Sequence, residues 1–379
     1  MYLSANLGLF ILLCALSRSY ASKLLVVPVE GSHWVNMKVL IVELHSRGHS
    51  ITVVRGSSSW YIEEQSPLYT SITVDNGEFD DDFMEKFLPR LLKMQRQGKS
   101  FWNEMALADE MIRFVTETHK QSCNMTAIMF ENETLMNSLK DAAYDVVLTD
   151  PAYGSGVLLA HHLGLPLVYN VRWTVYGEAH FDIAPSPLSY IPVSGLQLTD
   201  KMTFSQRVMN IMTYIMIRYK YSKNFGSPYQ EFTQKYFGPN VNFFSLLQDA
   251  DLWLMRNDFT FEFPRPTMPN VVYMGGFQCK PAKPLPGDLD RENMQRLSKL
   301  HHDQPMKPLD RAIFWIEFVI RNKGAPHLRA QSFRMSWIEH QSIDVILTLM
   351  VMVFVFALVT AYTMKYFCLR LFRKKVKHE

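Results

Sequence analysis

The chain has 379 residues, of which 48% are hydrophobic and 20% are charged. At about 150 residues per domain, this length is enough for two domains. The net charge is only +3, and a basic tail at residues 365–379 supplies more than this, so the rest of the chain has no basic excess. The sequence therefore argues against a nucleic-acid-binding protein.

The N-terminus has the pattern of a signal peptide. An apolar block, LGLFILLCAL at residues 7–16, is followed by the small residues Ser19 and Ala21, which suit a cleavage site. We expect a signal peptide over residues 1–21 and a mature protein that enters the secretory pathway.

Residues 22–289 have the pattern of an α/β domain. LLVVPV from Leu24, a helix from Trp34 to His45 and SITVV from Ser50 form a strand, a helix and a second strand. A second unit of this kind begins with the strand Asp145–Thr149. Apolar strands that alternate with helices predict a parallel sheet covered by helices. The first helix is expected to bury Val35, Val39, Leu40, Ile41, Val42 and Leu44.

The later segments extend this pattern. Residues 83–140 are mostly helical by periodicity, and residues 202–222 form an amphipathic helix. We expect the methionine and aromatic stripe of that helix to be core rather than a ligand pocket. Asp251–Met255 and Val271–Met274 are predicted strands, and the proline-rich run 280–287 is a predicted linker.

Two polar side chains follow strands of the predicted sheet. His33 comes after the strand that ends at Val29, and Asp150 directly follows the strand that ends at Thr149. Parallel packing brings both to the carboxyl edge, where open α/β sheets bind their ligands. A histidine held by a carboxylate can act as a general base. On spacing alone, however, a structural role is favoured, with His33 in a helix N-terminus and Asp150 as a helix cap.

The C-terminal part predicts a membrane anchor. Residues 345–364 form an uncharged apolar run that would be about 30 Å long as a helix and so matches a bilayer; a buried core helix is the alternative. The basic tail at 365–379 marks the cytoplasmic side, so the body lies in the lumen. Asn124 and Asn132 begin glycosylation sequons that fit this placement. We expect a single-pass type I protein, and the final KVKHE resembles the dilysine signal of the endoplasmic reticulum.

Other chemistry has little support in the sequence. There is no Gly-x-Ser-x-Gly, Walker, Gly-x-Gly-x-x-Gly or His-Glu-x-x-His motif. The acidic run Asp75–Glu85 lacks defined ligand spacing, so we expect no metal site. Cys123 and Cys279 lie in the lumenal part, where pairing is allowed, and the sequence leaves their pairing open.

Several stretches together carry a resemblance to a known family. EGSHW at 30–34, TDP at 149–151 and the run at 251–286 closely resemble the acceptor-binding half of vertebrate UDP-glucuronosyltransferases, and residues 293–329 resemble their last lumenal segment. The resemblance implies a GT-B architecture with two facing Rossmann-like domains. It also implies inverting transfer of glucuronic acid from UDP-glucuronate, the co-substrate, to small lipophilic acceptors such as xenobiotics, steroids and phenols. By this match His33 is the general base and Asp150 orients it.

The resemblance skips one block of the family. The donor domain, with its Trp-x-Pro-Gln and Thr-His-Gly-Gly motifs, is missing after Leu289, and the gap is on the order of 150 residues. We therefore expect a largely intact N-terminal domain at 22–289 and residual C-terminal helices with a juxtamembrane segment at 290–343. We expect no donor-binding residues, so this glycosyltransferase relative should be inactive or nearly so.

Two other readings stay open at this stage. The chain is alternatively an acceptor-binding or regulatory protein that forms homo- or hetero-oligomers with full-length family members. It is also alternatively a splice product or gene-model error without a stable fold, since residues 293–329 would ordinarily pack partly on the missing domain. In that case the apolar side chains of this segment are exposed, namely Phe314, Trp315, Phe318 and Val319.

Overall fold

The computed structural model of the chain describes residues 21–75, 82–96, 101–175, 177–281 and 291–375. They divide into two compact units, one that ends at Arg329 and one that begins at Ala330. The expected signal peptide, the linker at 280–287 and the acidic run Asp75–Glu85 lie wholly or largely outside the described residues.

The first unit contains a parallel sheet. Its described strands are β1 (Lys23–Val27), β2 (Ser50–Gly56), β3 (Thr70–Val74), β4 (Val146–Thr149), β5 (Leu167–Val171), β6 (Leu252–Met255) and β7 (Val271–Tyr273). Their order is β3-β2-β1-β4-β5-β6-β7, and every neighbouring pair is parallel. The predicted parallel sheet is thus confirmed. The sequence analysis missed β3, an edge strand whose sequence TSITV is half polar and only partly buried.

The described helices are divided between the two units, and those of the first unit connect the strands and cover the sheet. They are α1 (Ser32–Ser46), α2 (Asp82–Arg96), α3 (Phe101–Glu131), α4 (Glu133–Asp141), α5 (Ser155–Leu163), α6 (His180–Ile183), α7 (Phe204–Tyr221), α8 (Ser227–Phe237), α9 (Phe243–Gln248), α10 (Arg291–His302), α11 (Pro308–Asn322), α12 (Trp337–His340) and α13 (Ile343–Lys375). A short π-helical segment, Ser222–Gly226, joins α7 to α8. The helical prediction for residues 83–140 is confirmed.

Helix α1 covers one face of the sheet with a different stripe from the one predicted. Its buried side chains include Trp34 and Met37. By contrast, Val35 and Val42 are 54% and 46% exposed. Residues 35 and 42 are two helical turns apart and share a face, and in this helix that face points to solvent. The expectation that both are buried was therefore wrong.

Helix α5 packs on the opposite face of the sheet. Thr149 and Leu148 are successive residues of β4, so their side chains point to opposite faces. Leu148 belongs to the core beneath α1, whereas a Cβ on Gly156 of α5 would come within 2.1 Å of the Thr149 hydroxyl oxygen. Glycine is thus required where α5 crosses β4. The segment that follows Thr149 connects these two closely packed elements, so both of its ends are fixed.

Helix α7 is amphipathic as predicted, but its apolar stripe is not core. Met212, Ile215 and Tyr219 are 63%, 55% and 65% exposed. The buried residue of this helix is a polar one, Asn210, whose side chain accepts from Val193 N and donates to the Ile191 carbonyl. The expectation of a core stripe was wrong because periodicity locates an apolar face without fixing which way it points.

Helix α11 completes the core of the first unit. Its apolar residues pack with α1 and the sheet in a single hydrophobic cluster, and Val319 is fully buried. Trp315 and Phe318 are partly buried against the same cluster, while Phe314 is 43% exposed. The exposure of Val319 that the alternative without a stable fold implied is therefore not observed. Asp251, at the start of β6, fixes the chain beyond α11 by accepting from Ala325 N at 2.7 Å and from Arg329 Nη2 at 2.7 Å.

The second unit consists mainly of one long helix, α13. Within its stretch Ile343–Phe367, the most apolar window of 18 residues has a mean hydropathy of 2.7, and none of this window is buried within the chain. Length and composition therefore make it a candidate membrane span, in agreement with the apolar run predicted at 345–364.

Candidate active site

The strand order reverses between β1 and β4, which lie side by side at the centre of the sheet. In open α/β sheets such a reversal opens a crevice beyond the carboxyl ends of the two strands, where ligands bind. His33 follows β1 and Asp150 follows β4. The topology therefore brings the two predicted site residues to the crevice from adjacent strands.

His33 is positioned by the start of α1. Gly31, directly before this helix, has φ of +69°, a conformation that glycine adopts without strain. The turn it allows places His33 in the first turn of α1, where its side chain is 8% exposed. Its Nδ1 lies 2.6 Å from Asp150 Oδ2.

Asp150 is fully buried, and both of its oxygens are engaged. Oδ2 contacts His33, and Oδ1 accepts from Ala152 N at 3.0 Å. An ionised carboxylate only accepts hydrogen bonds, so the contact with Oδ2 places the proton of a neutral His33 on Nδ1. Nε2 is then the unprotonated nitrogen, so the pair presents a base whose orientation is fixed.

Glu30, in the turn that precedes α1, binds a neighbouring loop. Its carboxylate accepts from the Ser59 hydroxyl and from Tyr61 N. Burial raises the pKa of this carboxyl, whereas the backbone donors around it lower the pKa. In the EGSHW stretch, Glu30 therefore has a structural role, which is to hold the loop at residues 59–61.

An aromatic ring stands beside the imidazole. The ring centroids of Trp173 and His33 are 4.8 Å apart in an edge-to-face arrangement, and Trp173 is 44% exposed. Arg172 lies over the Trp173 ring at 4.8 Å and donates from Nη1 to the Ser32 hydroxyl at 2.6 Å. Trp173 thus offers an exposed flat surface next to the base.

The sequence analysis missed the residues that β5 and β6 bring to the same edge. Arg172 and Trp173 directly follow β5, and Arg256 directly follows β6. Burial lowers the pKa of the Arg256 guanidinium, the charge of Asp150 raises it and that of Arg172 lowers it. Asn170, which follows the register partner of Thr149, is fully buried. In the sequence, the two arginines and the tryptophan could have been identified as candidates because they follow apolar strands.

The other candidates from the sequence do not join this site. Cys123 and Cys279 are free thiols, and burial raises the pKa of Cys123. Within the described residues, no cluster of three or more His, Cys, Asp or Glu side chains could hold a metal ion. Asn132 caps α4 by accepting from Leu135 N, and Asn124 lies within α3.

A His–carboxylate pair at the central crevice of a parallel sheet is an arrangement suited to taking a proton from the hydroxyl group of a bound ligand. The family model described as "UDP-glucoronosyl and UDP-glucosyl transferase" matches residues 22–291 and 287–378. The chain therefore belongs to this family. The two matched segments overlap at residues 287–291, a range that includes Leu289, after which the sequence predicts that the donor domain is missing.

Curated relatives cover nearly the whole chain. UDP-glucuronosyltransferase 2A3 of Mus musculus is 26% identical over 524 positions, which include 96% of each protein. UDP-glucuronosyltransferase 2B13 of Oryctolagus cuniculus is 27% identical over 525 positions, with 98% of this chain and 97% of the relative. An alignment of 524 positions exceeds the 379 residues of this chain, so at least 145 positions (524 − 379) have no counterpart here. The chain is thus a shortened member of the family.

Solved glycosyltransferase structures resemble the chain more distantly. A glycosyltransferase, SnogD, from Streptomyces nogalater is 13% identical with a TM-score of 0.33, over 71% of this chain and 55% of that one. A UDP-glucosyltransferase from Polygonum tinctorium is 12% identical with a TM-score of 0.35, over 70% and 55%. The chain therefore spans about half the length of these structures.

Proposed function

We propose that this chain is a UDP-glucuronosyltransferase relative that keeps the acceptor half of the catalytic apparatus and has lost the donor half. His33 is the general base, Asp150 orients it, and the acceptors are small lipophilic molecules with a hydroxyl group. The observation that carries this proposal is the 2.6 Å contact between His33 Nδ1 and buried Asp150 at the central crevice.

The class reaction is inverting transfer of glucuronic acid from UDP-glucuronate. In that reaction Nε2 of His33 would take the proton of the acceptor hydroxyl, and Asp150 would stabilise the resulting imidazolium. The hydroxyl oxygen would then attack the anomeric carbon, and UDP would leave. Trp173 would contact the flat faces of phenolic acceptors beside the base.

We further propose that the chain alone is inactive or nearly so. At least 145 aligned positions of its relatives are missing, and the resemblance puts this gap at the donor domain. Arg172 and Arg256 leave positive charge at the crevice, but two arginines do not replace the contacts that the missing positions would make with the nucleotide sugar. Without a site that positions the donor, the reaction also loses about 7–11 kcal/mol by which such positioning lowers the activation barrier.

A transfer assay tests this proposal. The purified full chain is incubated with radiolabelled UDP-glucuronate and a phenolic acceptor, beside an intact UDP-glucuronosyltransferase as the positive control. We expect no conjugate above background from this chain. Robust conjugate formation that is lost in His33→Ala would overturn the proposed inactivity while supporting the role of His33.

A regulatory role is the second candidate. It is favoured by the packing of α11 in the core of the first unit, because a chain that associates with full-length relatives must itself be folded. Such hetero-oligomers would lower the activity of the full-length enzyme. Tagged full chain co-expressed with several relatives would co-purify with at least one of them, and failure to associate with any would exclude this role.

We propose that the protein resides in the membrane of the endoplasmic reticulum. A signal peptide at 1–21 would be removed, α13 would span the bilayer, and the basic tail at 365–379 would lie in the cytoplasm, leaving the body lumenal. Asn124 and Asn132 would be the glycan acceptors. Protease treatment of sealed microsomes should spare the body and remove a tag placed at the C-terminus, and the opposite pattern would refute this topology.

A further inference from the structure

Helix α7 presents apolar side chains to solvent along its whole length. The apolar face of α7 consists of six residues whose exposed fractions run from 41% to 73%, namely Phe204, Val208, Ile211, Met212, Ile215 and Tyr219. They recur at three- and four-residue spacing and so form one continuous stripe. Exposed apolar residues on soluble proteins are normally single and scattered, so a continuous stripe of this length indicates an interaction surface.

Buried polar contacts fix the orientation of this helix. Asn210 Nδ2 donates to the carbonyls of Leu188 and Ile191, and Arg218 Nη1 donates to Asp182, which is 4% exposed. Rotation of α7 to bury its apolar face would leave these groups without their partners. An unpartnered buried polar group is costly, so the outward direction of the apolar face is specified by the fold.

Basic residues flank the apolar face. The segment 201–223 contains Lys201, Arg207, Lys220 and Lys223 in addition to the internally paired Arg218, and it contains no Asp or Glu. An apolar helical face bordered by lysine and arginine is typical of helices that lie in the membrane interface. A second copy of the chain fits this surface poorly, because it would bring two basic borders together.

We propose that the apolar face of α7 lies in the interface of the bilayer, on the leaflet that faces the body. The inference rests on the proposed membrane span, since α13 anchors the chain in that bilayer. Residues 330–342 connect the first unit to α13, and this link reaches at most about 45 Å even when fully extended. The anchor thus keeps α7 at high local concentration near the lipid surface.

Lipid-quenching measurements on the reconstituted full chain test this second membrane contact. Cys123, Cys279 and Cys368 are replaced by serine, and a single cysteine carrying the fluorophore NBD is placed in turn at Met212, at Val353 or at Val42. Val353 lies in α13, and Val42 is an apolar residue exposed on α1. The vesicles contain anionic and zwitterionic lipids with a doxyl quencher on the acyl chain.

We expect quenching at Met212 of at least roughly half of that at Val353, since interfacial helices bury their apolar face about 5–10 Å deep. Quenching at Val42 should stay at the background level. Quenching at Val353 together with background quenching at Met212 would overturn the proposal for α7 and leave the span intact. Background quenching at Val353 would instead refute the proposed span on which the inference rests.

A charge substitution adds a second readout. Ile211→Lys/Ile215→Lys alters two exposed side chains, so the fold should be retained, which circular dichroism checks. We expect this variant to lose most of the quenching at Met212 and to keep that at Val353. Unchanged quenching at Met212, or cross-linking between copies through a cysteine at Met212 without lipid quenching, would contradict a lipid contact.

Discussion

Removal of one core side chain of α11 tests whether this helix completes the acceptor half. Ile316 is fully buried and packs in the cluster formed by α1, α11 and the sheet. Ile316→Ala deletes three buried carbon atoms and leaves a cavity, which costs about 2–5 kcal/mol for a core isoleucine. The entropy of unfolding is about 2.1 cal/mol/K per residue, so in a unit of roughly 300 residues each kcal/mol lowers Tm by about 1.5 °C. We therefore expect a decrease of at least about 3 °C.

Thermal unfolding of the detergent-solubilised full chain, followed by near-ultraviolet circular dichroism, measures this decrease. Phe314→Ala is the matched control, because Phe314 lies on the same helix and is 43% exposed. It should lower Tm by much less than Ile316→Ala, although it removes more atoms. Equal effects of the two substitutions would refute the reasoning, since α11 would then not be packed in the core.

Three further predictions follow from the described contacts. His33→Ala leaves the buried Asp150 carboxylate without its histidine partner and should cost about 1–3 kcal/mol in denaturant titrations; unchanged stability would contradict the contact. Burial lowers the pKa of His119 and of His180 from 6.5 to about 3. Between these pKa values the unfolded chain binds more protons than the folded chain. The free energy of unfolding should therefore be highest above pH 6.5 and should fall below it, by up to about 1.4 kcal/mol per pH unit for each histidine. A constant free energy of unfolding from pH 7 to pH 5 would contradict this. Asn132→Gln should abolish one glycosidase-sensitive mobility shift on gels of protein expressed in the secretory pathway, and an unchanged mobility would exclude a glycan at this position.

Much of the sheet could be predicted because buried parallel strands have strong apolar runs. The strands β1, β2, β4, β5, β6 and β7 each coincide with such a run, and helices with their own periodicity separate most of them. The edge strand β3 was missed because its TSITV sequence is half polar and packs on one side only. Edge strands carry a weaker pattern because one of their neighbours is solvent.

The direction in which a helix faces was harder to predict than its existence. The apolar residues of α7 were found by period, but Asn210 and Arg218 turn the polar side of this helix inward through long-range hydrogen bonds. No local pattern reveals partners that lie many residues away. The same limitation explains Val319, whose burial depends on contact between α11 and a sheet far earlier in the chain.

The proximity of His33 and Asp150 could be predicted from topology, but the side chains around them could not. His33 and Asp150 each follow a clear strand, and two adjacent parallel strands bring such residues together. Trp173 also follows a strand, but only the fold of the segment after β5 directs its ring to His33. The position of a residue after a strand identifies candidates, while their mutual contacts are set by loop geometry.

Binding of both substrates to the same purified chain tests the central claim most directly. Isothermal titration of the full chain with a phenolic acceptor and, separately, with UDP-glucuronate compares the two halves of the reaction. The account predicts saturable binding of the acceptor, weakened by Trp173→Ala, and no detectable binding of UDP-glucuronate. Saturable binding of UDP-glucuronate at the affinity of an intact UDP-glucuronosyltransferase would contradict it.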